Sequence, residues 1–202
     1  MNFNIIIRKV NPAYNDVRRS VHKLRISNPY ASPNELSRLY IKKIRNKYTS
    51  VGAVTALPGI IPGLGTTTQA VIEAGSLSTD LILMLRWMAG VCYGTSLIYG
   101  KDIEKEFEAE FITVLAIWSG VLTKKSGRVE HFDKYLSDKL RNRMHQKIGK
   151  ELMIKYGSKR GTSSLGKFIP FGIGAVIGGA FNYTTMKKFG LIADNYFNPY
   201  MN

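Results

Sequence analysis

The chain has 202 residues, of which 45% are hydrophobic and 21% are charged, and its formal net charge is +15. These values exclude a disordered chain and favour one globular domain, since domains typically span about 100 to 200 residues. The single cysteine, Cys92, excludes an intramolecular disulfide. The positive charge indicates a polyanionic partner, either nucleic acid or an anionic membrane surface.

The positive charge is concentrated in two blocks. Residues 1–48 hold 11 Lys/Arg against 2 Asp/Glu, and residues 124–167 hold 13 against 4, whereas residues 49–123 hold 3 against 7. Each block directly precedes an apolar segment rich in glycine. The first 20 residues contain only a short apolar run without a small-residue cleavage site, so we expect no secretory signal peptide.

The first predicted helix covers "SPNELSRLYIKKIRNKY", residues 32–48. Ser32 as N-cap, Pro33 at the first helical position and Glu35 three residues after the cap form a capping box. Apolar residues recur at three- and four-residue spacing, at Leu36, Leu39, Tyr40, Ile44 and Tyr48. The predicted anion-binding residues of this basic amphipathic helix are Arg38, Lys42, Lys43, Arg45 and Lys47.

Two uncharged segments follow the basic blocks, "GAVTALPGIIPGLGTTT" at 52–68 and, after one lysine, "FIPFGIGAVIGGAFN" at 168–182. Prolines break a helix and glycines permit positive φ, so we predict that the first segment is an ordered, buried bend. Small residues let helices approach closely, and we expect the two segments to pack together rather than to span a membrane. The predicted packing residues are Gly52, Pro58, Gly59, Gly63, Gly172, Gly174, Gly178 and Gly179.

A long apolar helix is predicted within residues 68–94. Four polar residues fall on one of its faces, at Gln69, Glu73, Ser76 and Asp80, and Met84, Trp87 and Val91 continue that face. The favoured interpretation is a stripe facing solvent. The alternative is a buried polar line between packed helices, which would require paired carboxylates.

Three further helices are predicted in the second half. The helix at 101–125 begins with acids and ends with lysines, as the helix dipole favours, and its inner face is formed by Ile103, Phe107, Phe111, Val114, Trp118 and Leu122. Residues 130–157 form a second basic amphipathic helix, and residues 182–197 a short final one. The second basic helix supplies further predicted anion-binding residues, at Lys139, Arg141, Arg143, Lys147 and Lys150.

No motif in the sequence supports catalysis. Gly172, Gly174 and Gly178 have the wrong spacing for a dinucleotide-binding fingerprint, and no predicted strand precedes them. The three histidines have no metal-ligand partners at suitable spacing, and Cys92 has no recognisable base. We therefore expect no enzyme activity, no cofactor and no metal.

Residues 40–107 and 166–194 resemble the EcsC family of bacterial proteins, and the resemblance covers roughly residues 30–195. The resemblance rests on the basic helix, the G-x-x-x-x-x-P-G pattern at 52–59, the apolar helix ending in "YGKD" at 99–102 and the closing "GIGAVIGGAFN". It implies a helical, membrane-associated protein whose biochemical role is undefined. We expect a basic extension at 1–30 and a single EcsC-like domain at 31–202.

The resulting prediction is an all-α helical bundle in which the two Gly/Pro-rich segments pack together. Its predicted function is docking on anionic lipid through the basic helices, at the cytoplasmic face of the membrane, with a membrane protein as a further candidate partner. Two alternatives remain open at this point. One is a nucleic-acid-binding protein, which explains the charge equally well, and the other is a pore-forming or toxin-like protein whose glycine-rich hairpin inserts.

Overall fold

The computed structural model describes residues 10, 12–54, 79–122, 146–150 and 173–200, and of residues 50–54, 79–82 and 173–181 it describes the backbone only. Five helices have defined bounds: α1 (Tyr14–Ser27), α2 (Pro33–Val54), α3 (Thr79–Ile98), α4 (Phe107–Ser119) and α5 (Ile173–Phe197). Residues 146–150 are also helical. No strand occurs within these ranges, so the predicted all-α class is confirmed.

The capping box predicted at the start of α2 is present. The Glu35 backbone N–H donates to Ser32 Oγ at 3.3 Å, and the Ser32 backbone N–H donates to Glu35 Oε2 at 2.8 Å. This second hydrogen bond is the largest cause that holds the pKa of Glu35 below its ordinary value. Of the predicted apolar face, Leu36, Tyr40, Ile44 and Tyr48 are buried, but Leu39 is 39% exposed.

Helix α2 packs most extensively against α5. The two helices are antiparallel, since Asn34 near the start of α2 contacts Asn198, and Ile41 contacts Gly190. Helix α3 is also antiparallel to α2, because Tyr40 lies against Gly94 and Tyr48 lies near Trp87.

Glycine permits close helix approach at positions that the sequence analysis did not select. A Cβ atom on Gly94 would overlap the Tyr40 ring, and one on Gly190 would overlap Ile41. The Tyr40 hydroxyl also donates to the Gly90 carbonyl oxygen at 3.0 Å. The Tyr40 side chain therefore packs against the face of α3 that carries Gly90 and Gly94, two glycines with G-x-x-x-G spacing.

The predicted packing segments lie mostly outside the described residues, and with them the predicted contact between the segments. Gly52 lies in α2, which continues to Val54, so the predicted bend does not begin at residue 52. Gly174, Gly178 and Gly179 lie inside α5, which has 25 residues rather than the short length predicted for the final helix. Among the described helices, none is long and apolar enough to cross a membrane. Pro58, Gly59, Gly63 and Gly172 are outside the described residues.

Helix α3 is buried on the face that continues the predicted polar line. Met84 and Val91, which continue that face, are both fully buried. The side chains of the four polar residues lie outside the described part of the structure, so the solvent-facing stripe stays a prediction. Asp80 lies in the first turn of α3, where only the backbone is described. Gln69, Glu73 and Ser76 fall outside the described residues.

Helix α4 begins at Phe107, six residues later than predicted, and the acids before it pair with α1. Arg18 of α1 donates to Asp102 at 2.9 Å and to Glu104, which fixes the turn between α3 and α4. The helix ends at Ser119, where Gly120 adopts φ 80°. Its predicted inner face is confirmed, since Ile103, Phe107, Phe111 and Val114 are buried and Trp118 and Leu122 pack against them.

Candidate anion-binding surface

The five basic residues predicted on α2 point to different sides of the helix. Arg38, Lys42 and Lys47 are exposed, whereas Lys43 and Arg45 are half-buried. Lys43 Nζ donates to Ser20 Oγ of α1 at 3.1 Å. Lys43 therefore belongs to the contact between α1 and α2 and not to the outer surface.

Arg45 is held against α5 by an aromatic contact. Its guanidinium carbon lies 4.2 Å from the centroid of the Tyr183 ring, a geometry typical of a cation–π pair. Its Nε and one terminal nitrogen each lie 3.4 Å from Asn46 Oδ1, the long limit of a hydrogen bond. No carboxylate of the described residues pairs with Arg45.

Helix α5 adds cations and apolar side chains that sequence analysis missed. Lys187 and Lys188 are exposed, Tyr183 is 38% exposed and Leu191 is 51% exposed. The signal was available, since these residues recur at three- and four-residue spacing.

The antiparallel arrangement brings these side chains onto one surface. Arg45 lies over Tyr183 and Ile41 lies against Gly190, so Lys42 is placed beside Lys187, which follows Tyr183 by one turn. Leu39 is exposed on the same outward side of α2. We call this surface the α2–α5 face, and it comprises Arg38, Leu39, Lys42, Arg45, Tyr183, Lys187 and Leu191.

The two helices of the α2–α5 face carry an excess of positive charge. Helices α2 and α5 together contain seven Lys/Arg and two Asp/Glu. Of the two acids, Glu35 is held in the capping box and Asp194 is buried. Neither carboxylate competes for the cations at the middle of the face.

Helical residues 146–150 show the amphipathic pattern predicted for the second basic helix. Ile148 is fully buried, while Lys147 and Lys150 are exposed. Lys139, Arg141 and Arg143 lie outside the described residues. The second block of predicted anion-binding residues is thus only partly described.

A buried polar junction joins the start of α2 to the ends of α3 and α5. The Tyr99 hydroxyl lies 2.7 Å from Asp194 Oδ1 and 2.8 Å from Asn34 Oδ1, so its single proton is shared between two acceptors. Asn198 Nδ2 donates to the same Asn34 oxygen at 2.8 Å. Burial, and next the hydrogen bond to Asp194, raise the pKa of Tyr99, which therefore stays protonated.

Sequence reasoning missed this junction because its members are distant in the chain. Asp194 and Asn198 are spaced i, i+4 on one face of a helix, which was the one local signal. The junction fixes three helix ends relative to each other. It therefore positions α2 and α5 for the face described above.

Cys92 is fully buried, and burial raises the pKa of its thiol. A protonated buried thiol is a poor nucleophile, so its role is packing. Within the described residues, no group of three or more His, Cys, Asp or Glu side chains is arranged to hold a metal ion.

The model of the EcsC protein family matches residues 34–198. The match begins within α2 and ends just after α5, so it includes both helices of the α2–α5 face. No curated protein and no solved structure matches the chain.

Proposed function

The chain belongs to the EcsC protein family, and from the α2–α5 face we propose that it docks on the surface of anionic membranes. The observation that carries this proposal is the mixture of side chains on the face. Exposed cations, among them Lys42 and Lys187, alternate with the exposed apolar residues Leu39, Tyr183 and Leu191. Such a mixture is typical of proteins that lie at a lipid interface.

The two kinds of side chain would contribute in different ways. Each basic residue near an anionic leaflet contributes about 1 kcal/mol, so the four cations of the face give reversible attachment that weakens as salt rises. The free energy of binding becomes more favourable when the apolar parts of tyrosine and leucine leave water at the headgroup level. The proposed site of action is the cytoplasmic face of a membrane, whose lipids carry the negative charge.

The proposal is tested by flotation of the purified protein with vesicles that contain or lack anionic lipid. The variant to compare is Lys42→Glu with Lys187→Glu, because both side chains are exposed on the α2–α5 face. We expect it to lose most binding to anionic vesicles and to keep its helical circular dichroism. Lys43 is left unchanged because it contacts Ser20.

The matched control is Lys101→Glu with Lys105→Glu. Both lysines are exposed in the turn between α3 and α4, and the change in net charge is the same. We expect this control to bind vesicles nearly as well as the unaltered protein. Equal loss in the two variants would mean that only net charge matters and would contradict a docking face.

Nucleic acid is the other polyanion that the charge allows. A mobility-shift assay with DNA and RNA, run at the same salt concentration as the flotation, separates the two. Membrane docking requires vesicle binding that Leu191→Ser weakens, because the leucine has a role at a lipid interface and none against phosphates. Nucleic-acid binding without vesicle binding would overturn the proposal.

A further inference from the structure

We propose that Arg45 is the centre of a site for the phosphomonoester headgroup of a membrane lipid, an inference that rests on the proposed function. Arg45 is half-buried as a residue, and its guanidinium carbon lies 4.2 Å from the centroid of the Tyr183 ring. Stacking on an aromatic ring fixes the plane of a guanidinium while its N–H groups point outward along the edge. The donor edge is therefore oriented before any ligand arrives.

Among the described residues, the donor edge of Arg45 has only a weak partner. Its two contacts with Asn46 Oδ1 are each 3.4 Å long, whereas a charge-assisted hydrogen bond is about 2.7 to 2.9 Å. The Asn46 oxygen is neutral, and no carboxylate of the described residues pairs with this guanidinium. A phosphate oxygen would replace the amide oxygen and supply the missing negative charge.

Two ammonium groups lie about one helical turn from the guanidinium, both toward the start of α2. Lys42 precedes Arg45 by one turn of α2, and Lys187 follows Tyr183 by one turn of α5. A phosphomonoester has three terminal oxygens and a charge near −2 above its second pKa of roughly 6, so it can accept from all three cations. A phosphodiester has two free oxygens and one charge. The site should therefore prefer the monoester.

The test compares phosphatidate with phosphatidylglycerol in phosphatidylcholine vesicles, with lipid fractions adjusted to equal surface potential at about pH 8, well above that second pKa. We expect the unaltered protein to bind phosphatidate vesicles about tenfold more tightly, the factor expected for one additional charge-assisted hydrogen bond. Arg45→Lys keeps the charge but removes the planar fork. It should lower this ratio to near one, mainly by weakening binding to phosphatidate.

The matched control is Arg19→Lys, the same chemical change at an exposed arginine of α1, outside the α2–α5 face. It should keep the preference for phosphatidate. Tyr183→Leu serves as a second variant, because it removes the ring that orients Arg45 and leaves every charge in place. A ratio that survives both Arg45→Lys and Tyr183→Leu would overturn the assignment of the site.

The remaining outcomes separate this inference from the proposed function. Equal binding of the unaltered protein to the two lipids overturns the phosphomonoester site and leaves anionic docking standing. No binding to either lipid overturns both. In a separate competition experiment, inorganic phosphate or sulfate is added at equal ionic strength to the protein bound to phosphatidate vesicles. Displacement from vesicles by micromolar phosphate, but not by sulfate, would identify free phosphate as the ligand and overturn a lipid site.

Discussion

At the scale of single residues, Gly90 and Gly94 lie one turn apart on α3 but have different surroundings. A Cβ atom on Gly94 would overlap the Tyr40 ring, whereas one on Gly90 would meet nothing within 4 Å. Tyr40 is 1% exposed and its hydroxyl is hydrogen-bonded, so it cannot move aside freely. We expect Gly94→Ala to lower the free energy of unfolding by about 1 to 2 kcal/mol, because overpacking exceeds the gain in helix propensity.

Gly90→Ala is the matched control for this prediction. It should raise the free energy of unfolding by up to about 1 kcal/mol, since alanine is the better helix former and space is available. Chemical denaturation of the two variants measures both values. Similar values for the two variants would show that α2 and α3 are not in close contact at Tyr40.

Thr95 provides a second test at the same scale. Its hydroxyl is fully buried and has no hydrogen-bond partner in the described structure. Thr95→Val should raise the free energy of unfolding by about 1 kcal/mol, because it removes an unsatisfied polar group without changing shape. Thermal melting followed by circular dichroism measures the effect.

Thr113 is the control for Thr95, because its hydroxyl donates to the Ala109 carbonyl oxygen at 2.9 Å. Thr113→Val removes a hydrogen bond that exists and should lower stability by about 1 kcal/mol or less. If Thr95→Val were the more damaging of the two, the Thr95 hydroxyl would have a partner in solution.

At the scale of elements, α1 is attached to the bundle by charged contacts at both of its ends. Arg18 donates to Asp102 and Glu104 before α4, and Arg25 donates to the carbonyl oxygens of Leu97 and Ile98 at the end of α3. Between these ends, Val17 and Val21 are buried. Arg25 thus supplies a donor to the Ile98 carbonyl oxygen at the end of α3, while the Leu97 oxygen also accepts from the Gly100 backbone N–H.

The hydrogen bond from Arg18 is the largest cause that holds the pKa of Asp102 below its ordinary value of 3.8. A carboxylate with a lowered pKa stabilises the folded state above its ordinary pKa, and this contribution is lost as the pH falls through the lowered value. Arg18→Met should therefore lower the melting temperature slightly at neutral pH. The difference from the unaltered protein should vanish in strong acid.

Arg19→Met is the control for the Arg18 prediction. Arg19 pairs with Asp16 inside α1, so its loss leaves the attachment of α1 to the bundle intact. Melting curves over a series of pH values compare the two variants. An equal, pH-independent effect of the two changes would contradict the assigned role of Arg18.

At the scale of the whole molecule, the sequence predicts features that depend on neighbouring residues. The capping box at Ser32 and the apolar spacing of α4 are local patterns, and both are found. By contrast, the turn before α4 is bonded to Arg18, which lies 84 residues away from Asp102, and no local pattern indicates this pairing. Likewise, the sequence predicts that α2 is basic. It does not predict that Lys43 contacts Ser20 of α1 whereas Arg45 contacts Tyr183 of α5, because both partners are distant in the chain.

The match to the EcsC protein family begins at residue 34, after α1 and after the Ser32 cap. A recombinant fragment that begins at residue 34 would lose three contacts. These are the hydrogen bond from Ser32 to Glu35, the hydrogen bond from Arg25 to the end of α3 and the Tyr14 ring, whose centroid lies 4.8 Å from that of Tyr93. The fragment would also uncover apolar surface on α3 that Val17 and Val21 now shield. For this protein, the practical domain boundary for expression lies before Tyr14, and a shorter fragment should aggregate.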